Sequence, residues 1–233
     1  MTSEKTPFDV LFRDGDVIVV NKAPGLLSQP DASGDPDLLT LLSRETGRRV
    51  YPIHRLDRGV GGLLAVAASE RAARVLSSLV SGEGDLFKKE YLTVVHGRFC
   101  EPTGELSDYL LRDAGRTRVV ERGTRGAKTA RLAYRVLAET ETGGLSLSLL
   151  CVRLFTGRTH QIRVQLSNAG HPVAGDGRYG AHDRFPPLAL FSHRLAFPHP
   201  LTGKTLRFSA MPETTPFDFF SIPAVGEEGF FDD

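Results

Sequence analysis

Two segments of this chain place reactive side chains at spacings that suit chemistry. In Tyr51-Pro-Ile-His54-Arg55-Leu-Asp57-Arg-Gly59-Val60-Gly61-Gly62, a carboxylate follows a guanidinium two residues on, directly ahead of an apolar run to Ala67. In extended backbone, residues 55 and 57 share a face, and a carboxylate on a loop beside a rigid strand can act as nucleophile or base. The plainer reading is a turn aspartate paired with a neighbouring arginine. In Thr156-Gly157-Arg-Thr159-His160-Gln-Ile-Arg163-Val-Gln165-Leu-Ser167-Asn-Ala169-Gly170, a strand turns at Gly157 into a short helix, with Thr159 a suitable cap. Helical spacing puts His160, Arg163 and Ser167 on one face and Ile162, Leu166 and Ala169 toward the core. By itself that pattern favours an amphipathic helix with a solvated basic stripe.

The elements that must position these residues are mostly short strands. Phe8 to Phe12 and Val17 to Asn21 flank Arg13-Asp14-Gly15-Asp16, the composition of a hairpin turn. Further strands are expected at Gly62 to Ala67, Tyr91 to His96, Thr117 to Glu121, Thr129 to Ala138, Leu145 to Phe155 and Thr205 to Ser209. Helices are expected from Asp37 to Thr46, ending at Gly47, over an apolar-periodic run capped by Ser69 and stopping before Gly82, and from Thr159 to Asn168. Strands with interspersed helices and no regular βαβ alternation predict an α+β domain on a mixed, mainly antiparallel β-sheet with flanking helices and loops.

Composition narrows the function classes. The chain has 233 residues, 29 basic against 28 acidic, an ordinary globular balance that excludes a fibrous or disordered protein. Its longest apolar runs, such as Leu63 to Ala68, fall well short of the roughly 18 residues of a membrane span. The first twenty residues show no basic start followed by an apolar stretch, which points to the cytoplasm. Cys100 and Cys151 cannot build a disulfide framework and read as small core residues. A metal-dependent hydrolase built on His54, His96, His160, His171, His182, His193 and His199 is disfavoured, because none are three or four apart on an expected helix. The charge is unevenly spread. Arg112 to Arg131 holds seven basic residues against two acidic ones, whereas Pro212 to Asp233 has six acidic residues and no Lys or Arg. The first could track phosphates and the second would be repelled by them.

Taken in order, these and other segments resemble the RluA-like family of pseudouridine synthases. Asn21-Lys22-Ala-Pro24-Gly25-Leu26 is similar to its opening motif, and His54-Arg55-Leu56-Asp57 with Gly62-Leu63-Leu64 to its catalytic motif. Lys89-Glu-Tyr91-Leu92 resembles its Lys-x-Tyr strand. Thr156 to Arg163, continued by Gly170-His-Pro and Gly175-Asp-Gly-Arg-Tyr179-Gly180, resembles the third motif, and His199-Pro-Leu-Thr-Gly203 the closing strand and turn. The matches run from about residue 17 to residue 212.

The resemblance implies a pseudouridine synthase fold and a cofactor-independent isomerase, with no metal. The enzyme would detach uracil from its ribose, rotate it and rejoin it through C5. Asp57 would be the nucleophile or base that opens the glycosidic bond. Tyr91 would stack on the target base and is a candidate for proton transfer. Arg163 would pair with Asp57 to hold it ionised and oriented. His54 and Arg55 would lie at the substrate, Arg55 beside the flipped nucleotide or the position it vacates. The target must be turned out of its stack, which favours a transfer RNA or ribosomal RNA stem-loop, with Arg112, Arg116, Arg118, Arg122 and Arg125 tracking its phosphates. Residues 8–212 would form the catalytic domain and 213–233 an acidic tail, with no separate N-terminal RNA-binding domain and a monomeric enzyme. Gly59-Val60-Gly61 stands where the family usually carries hydroxyl side chains, which predicts a less rigid loop. Gln165 and Phe191 replace common histidines, with no role assigned. The alternative is a non-catalytic RNA-binding module that keeps the fold, although such a module has no reason to retain Asp57, Tyr91 and Arg163 together.

Overall fold

The computed structural model describes residues 6–82 and 85–221. These fall into two compact units, one formed by the described residues up to Lys88 together with Phe191–Pro212, the other by Lys89–Leu190 and the described residues from Glu213 to residue 221.

The first unit is built on β1 (Phe8–Arg13), β2 (Val17–Lys22), α1 (Leu38–Thr46), β3 (Tyr51–Pro52), β4 (Gly61–Ala67) and α2 (Glu70–Ser81). Asp14 closes the expected β1–β2 turn, its carboxylate accepting from the N–H groups of Asp16 and Val17 at 2.8 Å each. β2 pairs antiparallel with β4, and every residue of β4 is buried. Val17, Val19, Leu63, Ala65 and Ala67 point to one side, where Ala72 and Leu76 of α2 and Phe87 cover them. Both helices begin as their sequences dictate: Asp37 accepts from Thr40 N–H at 3.0 Å, and Ser69 from Ala72 N–H at 3.1 Å. α1 ends at Gly47 in the left-handed conformation.

The second unit contains β5 (Lys88–His96), β6 (Thr103–Asp113), β7 (Arg116–Val120), β8 (Lys128–Thr142), β9 (Leu145–Leu154) and α3 (Gln161–Asn168). Its strands run in the order β5, β9, β8, β6, β7, each antiparallel to its neighbour. β10 (Leu190–Pro198) and β11 (Thr205–Ser209) follow; from Phe191 on β10 belongs to the first unit, lying parallel to β4, and β11 pairs antiparallel with it. The fold class is thus α+β with a mixed, mainly antiparallel sheet.

Several expectations need correction. β6 and β10 form where propensity and pattern predict no strand. β6 carries Gly, Glu and Asp, which propensity disfavours, and exists because its alternate residues face α3 while Thr103, Glu105 and Ser107 face out. Cys151 is buried, but Cys100 is exposed in a loop. Ala169 is exposed, since α3 ends at Asn168, and Gln161 and Gln165 are buried beside Ile162 and Leu166. Thr159 does not cap the helix; His160 occupies that position without a side-chain cap bond. Within the acidic segment, Phe217 and Phe220 are buried while Glu213 and Asp218 are exposed. Glu227, Glu228, Asp232 and Asp233 lie outside the described residues.

Candidate active site

Asp57 sits on the loop between β3 and β4. Residues 55–57 belong to no strand, and the chain then turns through Arg58 and Gly59, with Val60 N–H donating to Asp57 O at 3.0 Å. This loop is sewn to residues 23–28. Gly25 N–H donates to Arg58 O at 2.7 Å and Arg58 Nε donates back to Gly25 O at 3.1 Å. The Ser28 hydroxyl donates to Leu56 O at 2.7 Å and accepts from Leu56 N–H at 3.0 Å. Bracing therefore enters ahead of Asp57 and at Arg58, not through side chains at 59–61. Gly62 fixes where the loop ends: its φ is +105°, and a Cβ there would lie 2.3 Å from Ser192 O of β10.

Beneath this loop lies Lys22, the last residue of β2, only 1% exposed. Its Nζ donates to Ala23 O at 3.0 Å and Leu26 O at 2.9 Å. Burial pushes the ammonium down to about 8, and the negative charge of Asp57 partly opposes the shift. Asp57 is half-buried and Arg55 exposed. His54 is turned into the scaffold. Its Nε2 accepts from Ala65 N–H of β4 at 3.0 Å, and its ring meets Phe87 edge-on at 5.2 Å between centroids.

Tyr91 and Arg163 belong to the second unit. Tyr91 is buried on β5 opposite Val152, which in turn faces Tyr134. Directly paired residues share a face of the sheet. Continuing through Leu132, Ala130 and Leu110, that is the face on which Val164 of α3 packs. Tyr91 and α3 therefore share one face.

The turn into α3 is set by Gln161. Its Oε1 accepts from the Thr156 hydroxyl at 2.8 Å and from Arg158 N–H at 3.0 Å, while its Nε2 donates to Arg131 O at 3.1 Å. Gln165 pins the helix to the sheet, its Nε2 donating to the Asp108 carboxylate at 2.7 Å. Arg163, in the first turn, donates from Nε and Nη2 to the two oxygens of Asp176 at 2.6 and 2.8 Å. Both side chains are largely buried, at 11% and 1% exposure, so the doubly bonded pair satisfies charges that would be costly alone. The Tyr179 ring lies against the same guanidinium, 5.0 Å from its carbon. Asp176, Tyr179 and Lys22 lie within the motif segments, but the sequence alone assigns them no role. The signal that could have found Asp176 is an acidic residue between glycines beside a basic helix.

The basic segment is a β6–β7 hairpin plus the loop to β8, and Arg112, Arg116, Arg118, Arg122 and Arg125 are all exposed. The register divides them. Arg112, opposite Thr117, shares the α3 face, whereas Arg118, opposite Leu111, points to the reverse face, and Arg122 and Arg125 lie in the loop.

The fold is that of the pseudouridylate synthases. The structure of human RNA pseudouridylate synthase domain containing 1 superimposes with a TM-score of 0.74 at 24% identity, covering 91% of this chain and 86% of that one. The human domain containing 4 protein gives 0.69 at 22% identity, over 88% of each chain. The sequence goes further. The RNA pseudouridylate synthase family model matches residues 16–168. An uncharacterized RNA pseudouridine synthase of Bacillus subtilis, YjbO, is 34% identical over 223 residues, covering 90% of this chain and 74% of that protein. The dual-specificity RNA pseudouridine synthase RluA of Pasteurella multocida is 35% identical over 214 residues, covering 88% of this chain and 93% of that protein. The chain belongs to the RNA pseudouridylate synthase family, a family of isomerases, in its RluA-like branch. Among the described residues no helix is long and apolar enough to cross a membrane.

Proposed function

We propose that this chain, through residues 8–212, converts specific uridines to pseudouridine in a transfer RNA or ribosomal RNA stem-loop, acting as a cytoplasmic monomer. The observation that carries the reading is Asp57: a partly exposed carboxylate on a doubly braced loop, over a buried ammonium, inside the matched segment. The target nucleotide flips out of its stack so that its C1′ reaches this carboxylate. Asp57 opens the C1′–N1 bond, the uracil turns, and C5 bonds to C1′. N1 ends with a proton and C5 has lost one, so the isomerisation balances without an oxidant, a reductant or a cofactor.

Tyr91 stacks on the target base. Asp176 holds Arg163 through Nε and Nη2, and the guanidinium so held is assigned the orienting role toward Asp57 that the family resemblance implies. Arg55 meets the RNA directly, while His54 serves it by tying the loop to β4. The exposed arginines of the β6–β7 hairpin track the phosphates.

The test is release of tritium from transcripts labelled at uridine C5, with transfer RNA and ribosomal RNA fragments as substrates. Wild-type protein releases tritium from a subset of them, and Asp57→Asn folds, binds the same RNA and releases none. Release undiminished in Asp57→Asn removes this residue from the chemistry. RNA binding by wild-type protein without release from any fragment favours the non-catalytic module.

A further inference from the structure

Tyr179 is engaged by every part of its side chain, and its partners come from two regions with different duties. It is 4% exposed. Its hydroxyl accepts from Thr117 N–H of β7 at 3.2 Å and is bonded to His160 Nδ1 at 2.8 Å. Its carbonyl accepts from the Ser167 hydroxyl of α3 at 2.5 Å. Two guanidinium carbons lie near its ring, that of Arg163 at 5.0 Å and that of Arg116 at 5.6 Å. Arg116, beside the hairpin turn, also donates from Nη2 to Arg178 O at 3.0 Å.

His160 gives the hydroxyl its significance. Its φ of 55° lies in the left-handed region, which a side chain other than glycine adopts only when its surroundings hold it there. The bond from Tyr179 is such a hold, at the position from which α3 starts, and Arg163 is the third residue of that helix. One phenol thus joins the tip of the basic hairpin to the first turn of α3.

We propose that Tyr179 is a positioning residue that couples the hairpin's grip on RNA phosphates to the orientation of Arg163. This rests on the role given to Arg163 above. A phosphate drawn to Arg116 acts on a side chain that shares its aromatic partner with Arg163, and the Thr117 bond makes the hairpin tip and the helix start one body. Ordering of the hairpin by RNA is then felt at Arg163.

The test separates binding from chemistry. RNA dissociation constants and single-turnover tritium-release rates are measured for Tyr179→Phe, Arg116→Gln and the double variant. Tyr179→Phe keeps the ring and loses the hydroxyl bonds; its release rate falls about tenfold, within the range that slight misplacement of reacting groups produces, while RNA affinity holds within about twofold. Arg116→Gln weakens binding and also slows release from saturated complex. The double variant is no slower than the slower single variant within about twofold, the mark of a shared pathway. Rates that multiply in the double variant, or an unchanged release rate in Tyr179→Phe, overturn the coupling. A purely structural role lowers the thermal midpoint but leaves release from saturated complex at lower temperature intact, and that result also overturns it. If Tyr179→Phe does not fold, Arg116→Gln at its exposed site decides alone: unchanged release from saturated complex refutes the coupling. Asp57→Asn and Arg163→Lys run alongside. Wild-type rates in both sink the functional reading itself, whereas slowed rates there with normal release in Tyr179→Phe sink only the coupling.

Discussion

The Asp57 loop and the Arg163 helix turn are held in opposite ways. Around Asp57 the ties run largely to main-chain groups: Gly25 with Arg58, Ser28 with Leu56, Lys22 with the carbonyls of Ala23 and Leu26, and the close approach of Gly62 to Ser192. Around Arg163 the ties are side chain to side chain, through Asp176, Tyr179 and His160. A loop tied through its backbone tolerates changes in its own side chains, which is how Gly59-Val60-Gly61 can stand without hydroxyls. A guanidinium held by a carboxylate and a ring depends on those residues by identity.

The strongest test of this contrast is Asp176→Ala. It leaves Arg163 largely buried without its doubly bonded partner, and unfolding by urea should show a loss of about 3–5 kcal/mol together with slower tritium release. A loss below about 1 kcal/mol, the scale of a single ordinary hydrogen bond, would mean that packing of α3 holds the guanidinium and that the contrast is overdrawn.

Lys22 comes next, because it is a buried charged side chain in the backbone-held brace beneath Asp57. Its ammonium is lowered to about 8 by burial, so between about 8 and the ordinary lysine value the unfolded chain binds more protons than the folded one. Stability from this group is therefore fully present above the ordinary value and is lost as the pH falls through about 8. Relative to Lys22→Met, wild-type unfolding free energy should rise by roughly 2–3 kcal/mol from pH 8 to 10.5. A flat difference would show that the ammonium is better solvated than its burial implies.

The smallest effect belongs to Ser28→Ala. Losing the two bonds to Leu56 should cost about 1–2 kcal/mol and slow release modestly, with RNA affinity unchanged. If that single hydroxyl removes most of the activity, the Asp57 loop depends on side-chain identity after all.

Local rules accounted for much of the chain. The β1–β2 turn, the caps at Asp37 and Ser69, the stop at Gly47 and the buried run of β4 follow from propensities and periodicity acting over a few residues. The segments bearing Asp57, Tyr91 and Arg163 were singled out differently, by their resemblance to contiguous family motifs rather than by propensity or periodicity. Thr159 and Ala169 show the limit: a helix eight residues long takes its boundaries from what it packs on, and here a left-handed His160 starts it.

By itself, then, the sequence determined the α+β class, most of the elements though not β6 or β10, and the family of isomerases, because those depend on local chemistry and on motifs read in order. Only tertiary structure decided what surrounds the reactive groups. Ser28 meets Leu56 across 28 residues, Tyr179 meets Thr117 across 62, and Asp176 meets Arg163 across 13. Such partners are chosen by burial: a charge or hydroxyl taken out of water must find a match wherever the fold brings one, and sequence spacing carries no record of that choice.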